Sequence, residues 1–115
     1  MKKPEGVYVR MWEFTAKPEA QTKFESLYGP DGEWVQLFRR SKAFLGTDFF
    51  RDRDAGNRYV TLDYFVSRAG FDDFLREFRE EYEALNRRCD GVRSSEREIG
   101  VFTALGGSVF RAGAG

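Results

Sequence analysis

The chain has 115 residues, the size of one domain, and 17% of them are aromatic, twelve of these being Phe. Its 19 basic side chains balance 19 acidic ones, so no basic field invites nucleic acid or an anionic membrane. With no histidine and a single cysteine it lacks the usual neutral-pH base, zinc ligand and haem ligand, and any internal disulfide.

The opening MKKPEGVYVR has no apolar run of signal-peptide length, and no later segment is long and apolar enough to span a bilayer. The expectation is a soluble cytoplasmic protein. The first strand is expected over Val7–Phe14. Alternation puts Val7, Val9 and Met11 on one face, suited to packing on helices. Tyr8, Arg10, Trp12 and Phe14 fall on the other, bulkier face. Pro18 suits the first turn of a helix whose inward residues are Ala20, Phe24, Leu27 and Tyr28. Gly29-Pro30-Asp31-Gly32 breaks that helix, and a short one follows over Glu33–Arg40 with Trp34, Leu37 and Phe38 inward. Trp34 beside the break is read as a core residue, with a place at a pocket mouth as the alternative.

A second strand is expected over Phe44–Arg53, with Gly46 marking a bulge or a close backbone approach. Asp54-Ala55-Gly56-Asn57 is turn chemistry and makes a hairpin with the third strand, RYVTLDYFV. In that strand Val60, Leu62, Tyr64 and Val66 share one face. Tyr59, Thr61, Asp63 and Phe65 share the other. Asp63 stands out there, because an ionised carboxylate is costly to bury without a partner. Arg10 poses the same problem on the first strand, so the two are candidates for a pair, structural or catalytic.

Ser67 is a suitable N-cap for a long helix. Phe71, Phe74, Leu75, Phe78, Tyr82, Leu85 and Cys89 recur at intervals of three and four, forming one apolar stripe. The opposite face carries i,i+4 charge pairs such as Asp72–Arg76 and Arg79–Glu83. A last strand near Glu96–Leu105 completes one domain over residues 1–105, and GGSVFRAGAG reads as a flexible tail over 106–115, with Val109 and Phe110 as a docking option.

Strand–helix–strand–strand–helix–strand is the split β-α-β order of ferredoxin-like α+β folds, with a four-stranded antiparallel sheet and helices on a single face. The aromatic side chains exceed what one thin core absorbs. We therefore assign Tyr8, Trp12, Phe14, Tyr59 and Phe65 to the sheet face left bare by the helices. A two-fold homodimer that stacks two such faces then covers them and encloses a cavity. An RNA-recognition domain shares the element order, but the third strand lacks its basic–Gly–aromatic signature and carries an acid in the middle.

The third strand and the start of the long helix resemble the antibiotic biosynthesis monooxygenase-like group of the dimeric α+β barrel superfamily. The loose pattern there is an acid, a Trp two residues on, a Ser or Asp cap, an apolar turn and a His. Here Asp63, Phe65, Ser67, Phe71 and Phe74 occupy those places, so Phe replaces the Trp and, more seriously, the His. The resemblance implies an oxygenase without a bound cofactor or metal, which deprotonates an electron-rich phenol or anthrone and lets the anion pass an electron to O₂. On that reading Asp63 is the base and Arg10 holds the anion. Trp12, Tyr59, Phe65 and Phe74, together with Tyr8, wall the binding site. The alternative is a barrel of the same build that binds a small aromatic ligand, or none, without catalysis.

Overall fold

The structure is a computed structural model that describes residues 6–107. Strand β1 (Tyr8–Ala16) leads through a 3₁₀ turn at Pro18–Ala20 into helix α1 (Gln21–Tyr28), and after the Gly29–Gly32 break comes α2 (Glu33–Phe38). The hairpin β2 (Phe44–Arg51) and β3 (Arg58–Phe65), the long α3 (Arg68–Cys89) and β4 (Arg93–Thr103) complete the chain. The strands form one antiparallel sheet in the order β2-β3-β1-β4, as a split β-α-β fold requires. Among the described residues no helix is long and apolar enough to cross a membrane. The expected tail lies outside the described residues from 108 onward, Val109 and Phe110 included.

Local chemistry accounts for the boundaries. The Ser67 hydroxyl accepts the Gly70 amide at 3.0 Å and starts α3. Asp52 accepts the amides of Asp54 and Ala55 and closes the hairpin turn. Gly46 sits at a register shift between β2 and β3 with φ +156°, the bulge its position suggests. Helix α3 bends at Phe78, whose φ and ψ of −116° and 26° leave the helical region. Of the helix-surface charge pairs expected at i,i+4, Arg79–Glu83 forms at 3.9 Å, whereas Arg76 turns instead to Asp73.

The two faces of the sheet are occupied in the reverse of the expected way. Register places Tyr8, Arg10, Trp12 and Phe14 opposite Phe65, Asp63, Thr61 and Tyr59, and it is this face that the helices cover. Tyr8 packs on Phe71 at 5.5 Å, Phe14 on Tyr28 at 4.7 Å, Tyr59 on Phe24 at 4.7 Å and Phe65 on Phe71 at 5.0 Å between ring centroids. The aliphatic face, with Met11, Val60 and Leu62, is the one without helices. It exposes Phe50 and Phe102 by about half. Alternation separates two faces without saying which one the helices take. The helix stripes are themselves made of rings. Rings bury roughly 150–250 Å² each and interdigitate best with other rings, so the aromatic sheet face is the one that gains most from being covered.

Candidate active site

Covering that face leaves a cavity of about 100 Å³ between sheet and helices. Its floor is built from β1 and β3, with Trp12, Phe14, Thr61 and Asp63, and is extended by Thr47 and Glu96 from the two outer strands. Its roof comes from Tyr28 of α1, from α2 through Trp34, Val35 and Phe38, and from Tyr82 and Asn86 of α3. Both tryptophans of the chain therefore line it. The cavity opens to solvent, and Glu96 is the exposed member of its lining.

Asp63 is its ionisable inner wall. The residue is 8% exposed and its Oδ1 accepts the Thr47 hydroxyl at 2.8 Å. Burial pushes its pKa from 3.8 up to about 6, while the Thr47 bond and the field of Arg10 pull it partly back. Tyr82, also on the wall, is held up in the neutral phenol form by burial. Tyr28 is raised as well, mainly by burial, although its hydroxyl accepts a bond from buried Arg93 at 2.8 Å.

Arg10 and Asp63 are direct cross-strand partners, yet they form no ion pair. The Arg10 guanidinium turns toward the β4 edge. There it donates to Glu98 at 2.9 Å and to the Tyr8 hydroxyl at 3.2 Å, and lies 4.4 Å from the Phe71 ring centre. This direction leaves the cation beside the part-exposed carboxylate of Glu98, whereas reaching toward the already buried Asp63 would take the guanidinium further from water. The expected pair, whether structural or catalytic, is replaced by two separate arrangements that communicate only through the field.

The remaining residues expected at the site divide sharply. Trp12 lines the cavity with Asp63. Tyr59, Phe65 and Phe74 are all but fully buried in the core. The Tyr59 hydroxyl donates to Glu25 at 2.5 Å and accepts from Gln21 at 2.9 Å, which ties the sheet to α1. Phe65 and Phe74 pack behind Phe38, at 5.7 and 5.5 Å, so they support a wall without forming it. Tyr8 serves Arg10. Cys89 is buried, as its stripe position suggests, and accepts the Trp34 indole N–H at 3.3 Å. Reasoning from the sequence missed Val35, Thr47, Asn86 and Glu96. Helix and strand periodicity already pointed Tyr28, Trp34, Phe38 and Tyr82 inward, and only the helix–sheet arrangement turns those residues into a cavity lining.

A model of the antibiotic biosynthesis monooxygenase family matches residues 7–88. The chain belongs to that family. Among curated proteins none matches the sequence significantly. Solved structures of similar fold include SnoaB of Streptomyces nogalater, a cofactor-independent oxygenase. Its TM-score is 0.68 and its identity 23%, over 89% of this chain and 96% of that one. Rv0793 of Mycobacterium tuberculosis has a TM-score of 0.63 at 15% identity, over 90% of this chain and 98% of its own. Of the residues that carry the resemblance to this family, Asp63 is buried on the cavity wall, Ser67 caps α3 and Phe74 is core.

The Asp63 carboxyl makes stability depend on pH in a defined direction. Its folded pKa lies above the unfolded value, so between about pH 4 and pH 6 the folded state holds a proton that the unfolded chain has lost, and stability falls as pH rises through that window. The rise from 3.8 to about 6 corresponds to a cost on the order of 3 kcal/mol above pH 7. Asp63→Asn keeps an acceptor for Thr47. In urea unfolding it is expected to match the wild type near pH 4 and to exceed it by up to ~3 kcal/mol at pH 8. Equal stabilities at pH 8 would mean that the carboxylate is solvated in the folded chain.

Proposed function

We propose that the protein is a cofactor-independent oxygenase that acts on a small phenol- or anthrone-like aromatic compound held between the sheet and the helices. The observation that carries this reading is the buried Asp63 carboxyl, with its pKa near 6, on the wall of a cavity lined by Trp12, Trp34, Phe38 and Tyr82. SnoaB, of the same fold, is described as a cofactor-independent oxygenase, which supports the reaction class.

At neutral pH Asp63 is largely ionised and can take the proton of an acidic hydroxyl or ring CH₂ lodged against it. The resulting anion is electron-rich and passes one electron to O₂. The radical pair combines at the ring carbon, and loss of water from the hydroperoxide converts CH₂ plus O₂ into C=O plus H₂O. The aromatic walls exclude water, which strengthens every field acting on the anion. Arg10 acts through its field, since Glu98 and Tyr8 hold its guanidinium. Tyr59, Phe65 and Phe74 contribute by fixing the rings of the wall.

The second function reading, binding of a small aromatic without turnover, is favoured by Phe74 at the family's histidine position and by the pairing of Arg10 with Glu98. Oxygen consumption with 1,8-dihydroxyanthrone separates the two. The enzyme reading expects kcat/KM to rise with an apparent pKa near 6. It expects Asp63→Asn to lower it by roughly 10²–10⁴-fold, and Arg10→Ala to have a smaller effect. Tryptophan quenching by the anthrone with no oxygen uptake would establish the binder instead.

We further propose that the protein is a homodimer whose bare sheet faces stack, two-fold related. The helices already cover the aromatic face, so the contact falls on the face of Met11, Val60, Leu62, Phe50 and Phe102 rather than on the rings that alternation alone suggests. Half-exposed Phe50 and Phe102 support this placement. Sedimentation is expected to give twice the 13.3 kDa chain mass, and Leu62→Arg to give monomers that keep the fold. A wild type that sediments as a monomer at micromolar concentration contradicts the stacking.

A further inference from the structure

Opposite Asp63 the cavity has a second polar end. Asn86 and Glu96 both line it, and both are bound by Arg93, whose side chain is 6% exposed. The Arg93 guanidinium donates to Asn86 Oδ1 at 3.0 Å, Glu96 Oε1 at 3.4 Å, Asp90 Oδ1 at 2.8 Å and the Tyr28 hydroxyl at 2.8 Å. Using the Asn86 carbonyl in this way fixes its amide group, leaving the NH₂ as a donor. Glu96 keeps carboxylate lone pairs beyond its single long contact. No other hydrogen bond within the described residues uses the Asn86 NH₂.

The two ends are well separated. Asp63 pairs with Arg10 and Glu96 with Phe14, four residues along and two strands across. On a sheet of ordinary spacing that is roughly 16 Å between Cα atoms. Between them lie the apolar walls of Trp12, Trp34 and Tyr82. The cavity of about 100 Å³ is smaller than the roughly 150 Å³ that holds one benzene ring, so a larger guest must also fill the mouth, where Glu96 stands exposed.

Resting on the proposed aromatic-ligand reading, we propose that Asn86 and Glu96 form a specificity pole, positioned by Arg93, that reads a second hydroxyl at the far end of a flat aromatic substrate. A hydroxyl both donates and accepts, which matches a carboxylate beside an amide NH₂. A carboxylate substituent would meet Glu96 with like charge, so the pole selects polyhydroxylated aromatics over aromatic acids. A site built to hydrogen-bond a hydroxyl discriminates strongly against the analogue that lacks it, because its polar groups are then left unpaired.

The test compares 2-naphthol, 6-methoxy-2-naphthol and 2,6-dihydroxynaphthalene by quenching of the two cavity tryptophans. The diol is expected to bind the wild-type protein at least tenfold more tightly than either monohydroxyl probe. In Asn86→Leu and in Glu96→Gln, the ratio of the two affinities is expected to fall below about threefold. The ratio cancels any general loss of binding, and the methoxy probe reports on the pole without a mutation. Equal affinities for all three probes in the wild type, or a diol preference that survives both substitutions, overturns the pole while leaving the cavity reading standing. If no naphthol quenches at millimolar concentration, the aromatic-ligand reading itself fails and the pole with it.

Discussion

The rest of the structure depends on the packing of the ring-bearing face of β1 and β3 against rings on three helices. Tyr8, Phe14, Tyr59 and Phe65 meet Phe24, Tyr28, Phe38 and Phe71 at centroid distances between 4.7 and 5.7 Å. That contact supplies the large apolar areas that stabilise a chain of this size. It also carries two polar residues, Thr61 and Asp63, into the interior, because alternation along β3 leaves them on the same face as Tyr59 and Phe65. The burial of Asp63 is thus a consequence of strand geometry, and its altered proton affinity follows from that burial.

Rings of different size do not fill the space between a twisted sheet and a bent helix completely. Where Trp12 and Thr61 face Trp34 and Tyr82, a cavity remains. Its inner end holds a carboxyl with a single hydrogen-bond partner, and its mouth holds an amide and a carboxylate anchored on Arg93. An apolar middle with polar ends suits the proposed flat aromatic substrate, which it would orient while keeping water off the reacting carbon. The charges nearest to it are tied to protein partners, Arg10 to Glu98 and Arg93 to Asp90 and Glu96, so among the described residues Asp63 is the lining carboxyl without an ion-pair partner.

Much of this was legible in the sequence. The order of elements, the Ser67 cap, the turn at Asp54–Asn57, the bulge at Gly46 and the stripe of α3 follow from local chemistry and periodicity, and each stands where those signals put it. The oddity of Asp63 was also visible, since alternation sets this acid on one strand face between Tyr59 and Phe65, where water has little access. The side of the sheet that the helices take was not visible. Alternation has a two-fold ambiguity that only tertiary packing resolves, and the preference of rings for rings resolved it against the aliphatic face. With the faces exchanged, the cavity moves from between two subunits into each one. Phe65 and Phe74 become support for the wall, and Asn86 and Glu96, which periodicity marks as ordinary polar positions, come to face the cavity. The orientation of Arg10 was equally illegible, because the choice between Asp63 and Glu98 turns on access to water at the β4 edge.

The central claim is that a carboxyl buried under the helices is the proton-accepting group of the proposed aromatic-binding cavity. It is tested most directly by following aspartate ¹³C-carboxyl resonances through a pH titration. One aspartate is expected to titrate near pH 6, to be absent in Asp63→Asn, and to shift its midpoint when 2-naphthol is added. Titration of every aspartate near the ordinary value of about 3.9, unchanged by the naphthol, would contradict it.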